Sequence, residues 1–288
     1  MSVIARSLSA RCLVLNHFPA ACQPRLKSYQ RTTEAIPENK NVGKRERKCS
    51  EDSSDTQGKS WPWYVAERLR QFEKLKSDHE EMLRERILRE SRPIEVRLSG
   101  GKSVEGQSWK TSPYDVAISC GLSESAIVAR VNGELWDLLR PLEADSSVEL
   151  LEFDNEAAKA VYWHSSAHLL GAAMEHLYGG LLCRGPPTEY GFFYDIFMNG
   201  RSVTRSDFPE LERTCLSMIG ERHPFERVEV PREELLELFQ YNEFKLRFIE
   251  SKVSTPTATV YRCGSLVDLC RGPHIRHTGQ IKSFRIEK

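Results

Sequence analysis

Two short motifs about a hundred residues apart contain side chains that can bind a proton or a metal ion. The first, His164-Ser-Ser-Ala-His168, separates two imidazoles by four residues, and the second, Cys270-Arg-Gly-Pro-His274, contains a thiol and another imidazole. Side chains four residues apart project from one face of a helix. If the second motif approaches that face, four nitrogen and sulfur side chains converge in one cleft. Such a cluster is typical of hydrolytic chemistry rather than of simple packing.

The two motifs permit three interpretations. Zinc accepts His nitrogen and Cys thiolate in a tetrahedron, so four protein ligands predict a closed structural site, and three ligands with a water predict a catalytic one. Without a metal, the imidazoles hold the substrate or deprotonate a water. The third interpretation is a pair of buried histidines beside a core thiol, since histidine pairs at helical spacing arise by chance. The presence of the second motif favours the two functional interpretations.

Three further polar residues are candidates for the same site. Asp268 lies two residues before Cys270, so on an extended strand the two side chains share one face. Tyr194 is an aromatic hydroxyl next to a carboxylate, and Lys245 interrupts an otherwise apolar run. Taken singly, each also fits a structural role: a solvated strand-end carboxylate, a half-buried tyrosine, and a surface lysine whose stem packs on apolar neighbours.

The composition limits the classes of protein to consider. The 288 residues suffice for two modest domains, and 41 basic against 41 acidic residues give no global basic field, although a local basic face remains compatible with RNA binding. No apolar run approaches the roughly 20 residues that cross a bilayer, so we expect no membrane association. The eight cysteines include no C-x-x-C pair, which favours reduced thiols.

The N-terminal region has the composition of an import signal. Residues 1–33 contain arginines, a lysine and several serines but no acidic residue. This composition predicts a mitochondrial transit peptide and therefore a location in the mitochondrial matrix, and the alternative is a disordered basic tail. Residues 34–60 are polar and charged without apolar periodicity, which predicts a disordered linker. Residues 61–92 have apolar positions at helical spacing, which predicts an exposed amphipathic helical arm without chemistry.

Residues 93–153 read as a small β-grasp domain. An alternating segment enters a turn at Gly100-Gly101, a short helix is expected over Pro113–Ser119, and Asn132-Gly133 is a strong hairpin signal. A further strand closes the unit. The order strand, strand, helix, strands predicts a ubiquitin-like β-grasp. Because this unit carries no catalytic cluster, we expect it to bind rather than to catalyse.

Residues 154–288 combine helices and strands without regular alternation, which predicts an α+β domain and an α+β fold class for the chain. Asp154 is expected to cap a long helix that carries both motif histidines and ends at Gly179-Gly180. Further elements are predicted at residues 191–197 (strand), 207–222 and 231–239 (helices), and 260–261 and 266–269 (strands that lead to Cys270).

Taken together, the motifs resemble the editing domain of threonyl-tRNA synthetases, which is shared in outline with alanyl-tRNA synthetases. The resemblance lies in His164-Ser-Ser-Ala-His168-Leu-Leu-Gly, Gly191-Phe-Phe-Tyr-Asp195 and Val267-Asp-Leu-Cys-Arg-Gly-Pro-His274. The β-grasp, with Val131-Asn-Gly-Glu134, resembles the TGS module that precedes editing in threonyl enzymes and is lacking in alanyl enzymes. Behind an import-like leader, the order of these domains over residues 61–288 is most similar to a mitochondrial threonyl-tRNA synthetase.

The resemblance implies a pocket that hydrolyses serine mischarged onto tRNA(Thr). Asp268 would read the serine amino or hydroxyl group, and Lys245 would contact the tRNA terminus or a catalytic water. Threonyl-type editing is expected to need no metal, whereas alanyl editing domains bind zinc, so zinc on the residues of the two motifs is the alternative. The implied catalytic residues are His164, His168, Cys270, His274, Lys245, Asp268 and Tyr194.

The same resemblance implies domains for which this chain has no room. A class II catalytic domain would bind ATP, threonine and the zinc that reads threonine, and an anticodon-binding domain would follow it. We therefore expect a chain that does not charge tRNA, that binds the aminoacylated 3′ end of tRNA(Thr), and that is a monomer. Two alternatives are a truncated, non-enzymatic module that binds tRNA or a synthetase, and alanyl-type editing, which the β-grasp disfavours and bound zinc would favour.

Overall fold

The computed structural model describes residues 3–5, 61–188 and 191–287 of the chain. The predicted linker over residues 34–60 and nearly all of the predicted leader over residues 1–33 lie outside the described residues. The exception is strand β1 (Val3–Ala5), whose backbone pairs in parallel with a strand near the other end of the chain. Among the described helices, none has both the length and the apolar character that crossing a bilayer requires.

Helix α1 spans Trp63–Glu90, within the segment predicted to be a helical arm. The expectation of an exposed arm is wrong for its first half, because that half packs into the core of the C-terminal domain. Since side chains three or four positions apart share a helix face, the buried set follows helical spacing. The buried residues of α1 are Tyr64, Val65, Arg68, Phe72 and Leu75.

A five-stranded mixed sheet with one short helix confirms the predicted β-grasp. Its strands are β2 (Pro93–Leu98), β3 (Ser103–Gln107), β4 (Val128–Val131), β5 (Glu134–Trp136) and β6 (Ser146–Leu151). The sheet has the order β3-β2-β6-β4-β5, in which β2 and β6 are parallel and the other neighbours are antiparallel.

Helix α2 spans Pro113–Ser119, as predicted, and its start is fixed by a capping box. The Ser112 hydroxyl accepts a hydrogen bond from Asp115 N, and the Asp115 carboxylate accepts one from Ser112 N. The predicted turn at Asn132-Gly133 connects β4 to β5. Local signals therefore account for most of this domain.

Helix α3 (Glu156–Tyr178) is the central element of the C-terminal domain. Its cap is Asn155 rather than the predicted Asp154, because the Asn155 side chain accepts a hydrogen bond from Ala157 N at 2.9 Å. Gly179 ends the helix in the left-handed conformation, with φ of 66°, as the sequence predicted. Most of α3 is buried on all sides, which is typical of a helix inside a domain rather than on its surface.

The remaining elements surround α3 and form a mixed arrangement that confirms the α+β class. One antiparallel sheet consists of the strands Phe225–Pro231, Thr257–Cys263 and Leu266–Leu269, and the shorter strands form pairs. In chain order these elements are β7 (Leu181–Arg184), β8 (Pro187–Thr188), β9 (Gly191–Phe192), β10 (Asp195–Phe197), α4 (Phe208–Gly220), β11 (Phe225–Pro231), α5 (Arg232–Leu238), α6 (Glu243–Lys252), β12 (Thr257–Cys263), β13 (Leu266–Leu269) and β14 (Phe284–Ile286).

Two predictions about these elements are wrong. The single strand expected over residues 191–197 is two short strands, β9 and β10, which pair with different partners. Helix α6 was not predicted, because its start depends on the Asn242 side chain, which also contacts another element. Both departures involve candidate site residues, since Tyr194 lies between the two strands and Lys245 lies on α6.

A buried ion pair joins α1 to α3. Arg68 Nη2 lies 2.6 Å from Glu175 Oε2, and both side chains are 1% exposed. Arg68 also donates to the Tyr241 hydroxyl at 2.8 Å and to the Ser265 carbonyl at 2.7 Å, and Tyr64 donates to Glu175 Oε1. Because buried charges are stable only when they are paired and hydrogen-bonded, this network ties the arm to the centre of the domain.

Arg68→Ala is expected to lower the free energy of unfolding by about 3–5 kcal/mol, because it leaves a buried carboxylate without its partner. Arg70→Ala is the matched control on the same helix, where Arg70 pairs with Glu67 in full exposure and such pairs contribute little. Urea unfolding of both variants measures the difference. Equal unfolding midpoints for the two variants would contradict this role for Arg68.

Candidate active site

Helix α3 carries His164 and His168 near its middle, and their four-residue spacing places both imidazoles on one face. The two ring centroids lie 5.0 Å apart. His168 is buried, with 3% of its surface exposed, whereas His164 is half-buried and lies nearer to solvent. The first motif therefore has the geometry that its spacing predicts.

The segment after β13 brings Cys270 and His274 to these imidazoles. Cys270 Sγ lies 3.4 Å from His164 Nε2 and 3.3 Å from His274 Nε2. The His274 ring centroid is 4.6 Å from that of His164 and 4.4 Å from that of His168. The four side chains of the two motifs therefore form one cluster, which we call the imidazole cluster.

Ser165 contacts His274 at Nδ1. Its Oγ lies 2.8 Å from the Val161 carbonyl oxygen and 3.0 Å from His274 Nδ1, and it accepts from Ile275 N at 3.1 Å. A serine hydroxyl has one proton, so when that proton points to the Val161 carbonyl, the imidazole nitrogen is the donor to Ser165. In that arrangement neutral His274 carries its proton on Nδ1, and the lone pair of Nε2 faces Cys270 Sγ. Sequence reasoning missed Ser165, although it lies inside the first motif.

A buried carboxylate with two partners lies beside the imidazole cluster. Lys245 Nζ lies 2.5 Å from Asp268 Oδ1, and the Tyr194 hydroxyl donates to Asp268 Oδ2 at 2.5 Å. Burial opposes ionisation of Asp268, yet the Lys245 ammonium, with a smaller effect from His168, holds its pKa below the ordinary range. All three residues are buried, so the surface roles considered for them do not apply, and the structure brings all seven candidate residues together.

Two glycines allow Tyr194 to reach this position. A Cβ atom at Gly171 of α3 would lie 2.7 Å from Tyr194 Cε2, and one at Gly185 would lie 2.2 Å from Tyr194 Cδ2. Larger residues at either position would displace the ring, because neither distance permits normal van der Waals contact. The break between β9 and β10 thus places the tyrosine against α3, with its hydroxyl on Asp268.

The cap of α6 positions Lys245. The Asn242 side chain accepts hydrogen bonds from Phe244 N at 3.1 Å and from Lys245 N at 3.2 Å. Its amide nitrogen donates to the Leu182 carbonyl on β7 at 2.8 Å. One buried side chain therefore both starts the helix and ties its first turn to the neighbouring strand, which explains why Lys245 has a fixed place in the site.

Burial sets the protonation of the imidazole cluster. It lowers the pKa of His164, lowers that of His168 to about 3, and lowers that of His274 well below the ordinary range, because a buried imidazole is costly to charge. Burial also raises the pKa of the Cys270 thiol to about 12. In the absence of a metal, the cluster at neutral pH therefore consists of neutral imidazoles and a neutral thiol.

The imidazole cluster also fits a tetrahedral metal site. Its four donor atoms all lie within 4.8 Å of one another, and ligand atoms around zinc lie roughly 3.3–3.8 Å apart for bonds of about 2.0–2.3 Å. The hydrogen bond from His274 Nδ1 to Ser165 would orient that ligand, as outer partners do in metal sites. The donor set therefore suits either a zinc ion or metal-free imidazole chemistry.

One buried nitrogen of the site, His168 Nδ1, has no hydrogen-bond partner among the described residues. Buried polar atoms rarely lack such partners. Asp268 already binds Lys245 and Tyr194, but a carboxylate accepts up to about four hydrogen bonds. Asp268 can therefore also accept from an ammonium or hydroxyl group of a ligand, beside the unpaired ring nitrogen of His168.

Two residues that sequence reasoning missed hold His274 from other elements. Tyr261 on β12 has its ring centroid 4.6 Å from that of His274. Asp137, in the β-grasp domain, accepts a hydrogen bond from His274 N at 2.9 Å. Neither has a local signal, because Asp137 follows a short hairpin strand of another domain and Tyr261 lies in a strand whose burial does not alternate.

Two family models match the chain. A model described as "TGS domain" matches residues 94–152, the β-grasp domain, and one described as "Threonyl and Alanyl tRNA synthetase second additional domain" matches residues 258–288, which include Cys270 and His274. Both matches agree with the resemblance on which the site was predicted.

Curated relatives match a much larger part of the chain. It is 55% identical over 239 residues to threonine–tRNA ligase 2, cytoplasmic, of Xenopus tropicalis (82% of this chain, 29% of the relative). It is 53% identical over 230 residues to threonine–tRNA ligase 1, cytoplasmic, of Homo sapiens (79% of this chain, 32% of the relative). The chain thus spans about a third of the length of these homologues. Both are named cytoplasmic, so the predicted mitochondrial type has no support from them.

Ser165→Ala is expected to allow His274 to adopt both neutral tautomers, because it removes the acceptor for the Nδ1 proton. Nitrogen-15 NMR of the histidine rings should show His274 protonated on Nδ1 in the native chain and a mixture of both tautomers in the variant. Ser166→Ala is the matched control, since Ser166 is equally buried and bonds the Tyr162 carbonyl without contacting a histidine. A native chain with the proton on Nε2 would contradict the assignment.

Proposed function

We propose that this chain, a homologue of threonine–tRNA ligases with a TGS domain and a second additional domain, is an editing hydrolase that removes serine from mischarged tRNA(Thr). The partner in this proposal is the aminoacylated 3′ end of tRNA(Thr), and the chain acts as a monomer. The relatives are ligases by name. We propose no ligase activity for the described residues, whose candidate chemistry is hydrolytic.

One observation carries the proposal: three neutral imidazoles lie beside a buried, ionised carboxylate that is paired with a lysine. Burial weakens all three imidazoles as bases, and His164, the half-buried one, is the candidate to accept a proton from water. The carboxylate of Asp268 suits the ammonium or hydroxyl group of an amino acid, because a carboxylate accepts up to about four hydrogen bonds and Asp268 has two protein partners, Lys245 and Tyr194. An aminoacyl ester presents both an ammonium group and a carbonyl to such a site.

The proposed reaction is hydrolysis of the ester bond between serine and the terminal ribose. The water oxygen attacks the ester carbonyl carbon, and the bond from that carbon to the ribose oxygen breaks. One proton of the water passes to an imidazole and then to the ribose oxygen, so the products are serine and free tRNA. Among the three imidazoles, His164 lies nearest to solvent and is the first that a tRNA terminus would reach.

The charges of the buried ion pair match the charges that develop during this reaction. Attack on the ester creates an oxyanion, which a positively charged group in a site of low dielectric stabilises strongly. Lys245 is the cation of the site, and Asp268 holds its ammonium in place at 2.5 Å. We therefore assign Lys245 to the oxyanion or the attacking water, and Asp268 to the amino or hydroxyl group of serine.

The physical need for such a site follows from the likeness of the two amino acids. Serine differs from threonine by one methyl group, and a single methylene distinguishes substrates by only about 1–3 kcal/mol. A site that synthesises threonyl esters therefore accepts some serine. A second site that admits serine and excludes the extra methyl of threonine corrects this error by hydrolysis.

We also propose that the hydrolysis needs no metal. This follows from the resemblance to threonyl-type editing domains, while the imidazole cluster itself would suit zinc as well. If zinc were bound, His164, His168, Cys270 and His274 would hold it, and the metal would supply a Lewis acid for water or carbonyl.

Loss of cluster side chains is expected to slow single-turnover release of serine from Ser-tRNA(Thr). Because His168 and Cys270 both pack against His164, and a displacement of about 1 Å in a reacting group reduces a rate about a hundredfold, His168→Ala and Cys270→Ala should each reduce the rate about a hundredfold while the protein stays folded. Cys120→Ala, which changes an exposed thiol of the β-grasp domain, is the matched control. The native rate is expected to persist after removal of metals with EDTA.

Two outcomes would contradict parts of this proposal. Native rates in both cluster variants would remove those residues from the mechanism. A rate that EDTA abolishes and zinc restores would replace the metal-free mechanism with a metal-dependent one.

We further propose that residues 1–33 direct the chain to the mitochondrial matrix, on the basis of their basic, acid-free composition alone. A reporter fused to this segment is expected to enter isolated mitochondria and become protected from added protease. A matched fusion with glutamine in place of Arg6, Arg11 and Arg25 should stay outside. A native fusion that remains sensitive to protease would contradict the proposal.

A further inference from the structure

Asp137 of the β-grasp domain holds the segment that carries the second motif. Its Oδ1 accepts a hydrogen bond from His274 N at 2.9 Å, and its Oδ2 accepts one from the Tyr261 hydroxyl at 2.6 Å. Asp137 follows β5 and is separated from these partners by more than a hundred residues of sequence. A single carboxylate therefore fixes the backbone of His274 and a side chain that packs against its ring.

The Tyr261 contact matters because Tyr261 forms one wall around His274. The two ring centroids are 4.6 Å apart and the rings are nearly perpendicular, at 73°. Phe225 stacks against His274 on another side, with centroids 4.8 Å apart. The ring is thus packed between aromatic residues, while Ser165 binds Nδ1 and Asp137 binds the backbone nitrogen.

Two further residues of the same segment bind the β-grasp domain. Arg276 donates to the Ser123 carbonyl at 2.9 Å, and its guanidinium lies 4.1 Å from the centroid of the Tyr114 ring. Gln280 donates to the Ala126 carbonyl at 3.2 Å. Residues 274, 276 and 280 therefore all contact the β-grasp domain.

These contacts distinguish two roles for the β-grasp domain. A module that only binds tRNA needs no contact with the imidazole cluster. Here the domain supplies a partner to the backbone of one member of that cluster. A displacement of about 1 Å in a reacting group can reduce a rate by about a hundredfold, so such a contact affects chemistry even though Asp137 touches no substrate.

We propose that the β-grasp domain is a structural part of the editing site, and that Asp137 is a positioning residue that sets the place of His274. This inference rests on the proposed function, because the reaction that His274 serves is the hydrolysis proposed above. It also extends that function, since it assigns to the β-grasp domain a role in catalysis rather than in binding alone.

The test compares three variants of the full chain: Asp137→Ala, Asp137→Asn and Glu134→Gln. The first removes both acceptors. The second keeps an acceptor for His274 N, and its amide can donate to the Tyr261 oxygen. Glu134→Gln is the matched control, because Glu134 is an exposed carboxylate on β5 of the same hairpin. Each variant is measured by single-turnover hydrolysis of Ser-tRNA(Thr) over a range of protein concentrations and by amide hydrogen exchange at His274.

Asp137→Ala is expected to reduce the saturating rate about a hundredfold. The protein concentration that gives half of this rate should stay unchanged, and amide exchange at His274 should become faster. Asp137→Asn should restore most of the rate and of the protection, and Glu134→Gln should match the native chain. Rescue by the asparagine distinguishes a positioning role from a general loss of stability. An unchanged protein concentration at half of the saturating rate shows that tRNA binding is not affected.

The proposal would be overturned if Asp137→Ala kept the native saturating rate and native amide exchange at His274. It would also be overturned if the variant changed only the protein concentration that gives half of the saturating rate. If Asp137→Ala does not fold, the Tyr261→Phe variant tests the proposal instead. It deletes the hydrogen bond from Tyr261 to Asp137 and keeps the aromatic ring. A rate roughly tenfold lower is expected for that variant, and a native rate would overturn the proposal. If the native chain releases no serine, the proposed function fails, and exchange at His274 still decides whether Asp137 holds the segment.

Discussion

The structure depends on the way in which His274 is held. Its ring nitrogen Nδ1 contacts the Ser165 hydroxyl on α3, its backbone nitrogen donates to Asp137 of the β-grasp domain, and its ring packs against Tyr261 on β12. Each contact comes from a different element, so the position of one imidazole requires all of them to be in place. With the Nδ1 proton directed to Ser165, the Nε2 lone pair of the neutral imidazole faces Cys270.

Burial gives the site its chemical character. Without burial, histidines would be partly charged near neutral pH and a cysteine would be close to ionising. Inside the domain, burial lowers the pKa of His168 to about 3 and raises that of Cys270 to about 12. The ionised carboxylate of Asp268 persists in the same surroundings because Lys245 compensates its charge. The site therefore combines neutral imidazoles, of which the half-buried His164 is the candidate base, with one fixed ion pair.

Local sequence signals predict much of the fold and the members of the site. The glycine that ends α3, the capping box of α2 and the turn between β4 and β5 are each specified by residues adjacent in sequence. The two motifs predict the imidazole cluster because each keeps its side chains within one turn or one short loop. Tyr194, Lys245 and Asp268 are candidates from their residue types and positions, and the resemblance to a known editing domain favours a site role for them over a structural one; no local pattern reveals their burial.

The remainder could not be predicted because it depends on contacts between distant segments. Helix α6 begins where Asn242 reaches the backbone of β7, and the break at Tyr194 depends on glycines of α3 and of the segment before β8. The cap of α3 falls on Asn155 rather than Asp154, a choice between adjacent residues of similar capping strength. Asp137 carries no sign of its role, because its partners lie more than a hundred residues away in another domain.

The central claim is that this site hydrolyses a seryl ester and spares the threonyl one. The most direct measurement is the ratio of single-turnover rate constants for Ser-tRNA(Thr) and Thr-tRNA(Thr) with the native chain. Because one methylene changes specificity by about 10–200-fold, we predict that serine is released at least tenfold faster. Equal rates for the two esters, or no release of serine by the folded chain, would contradict the account.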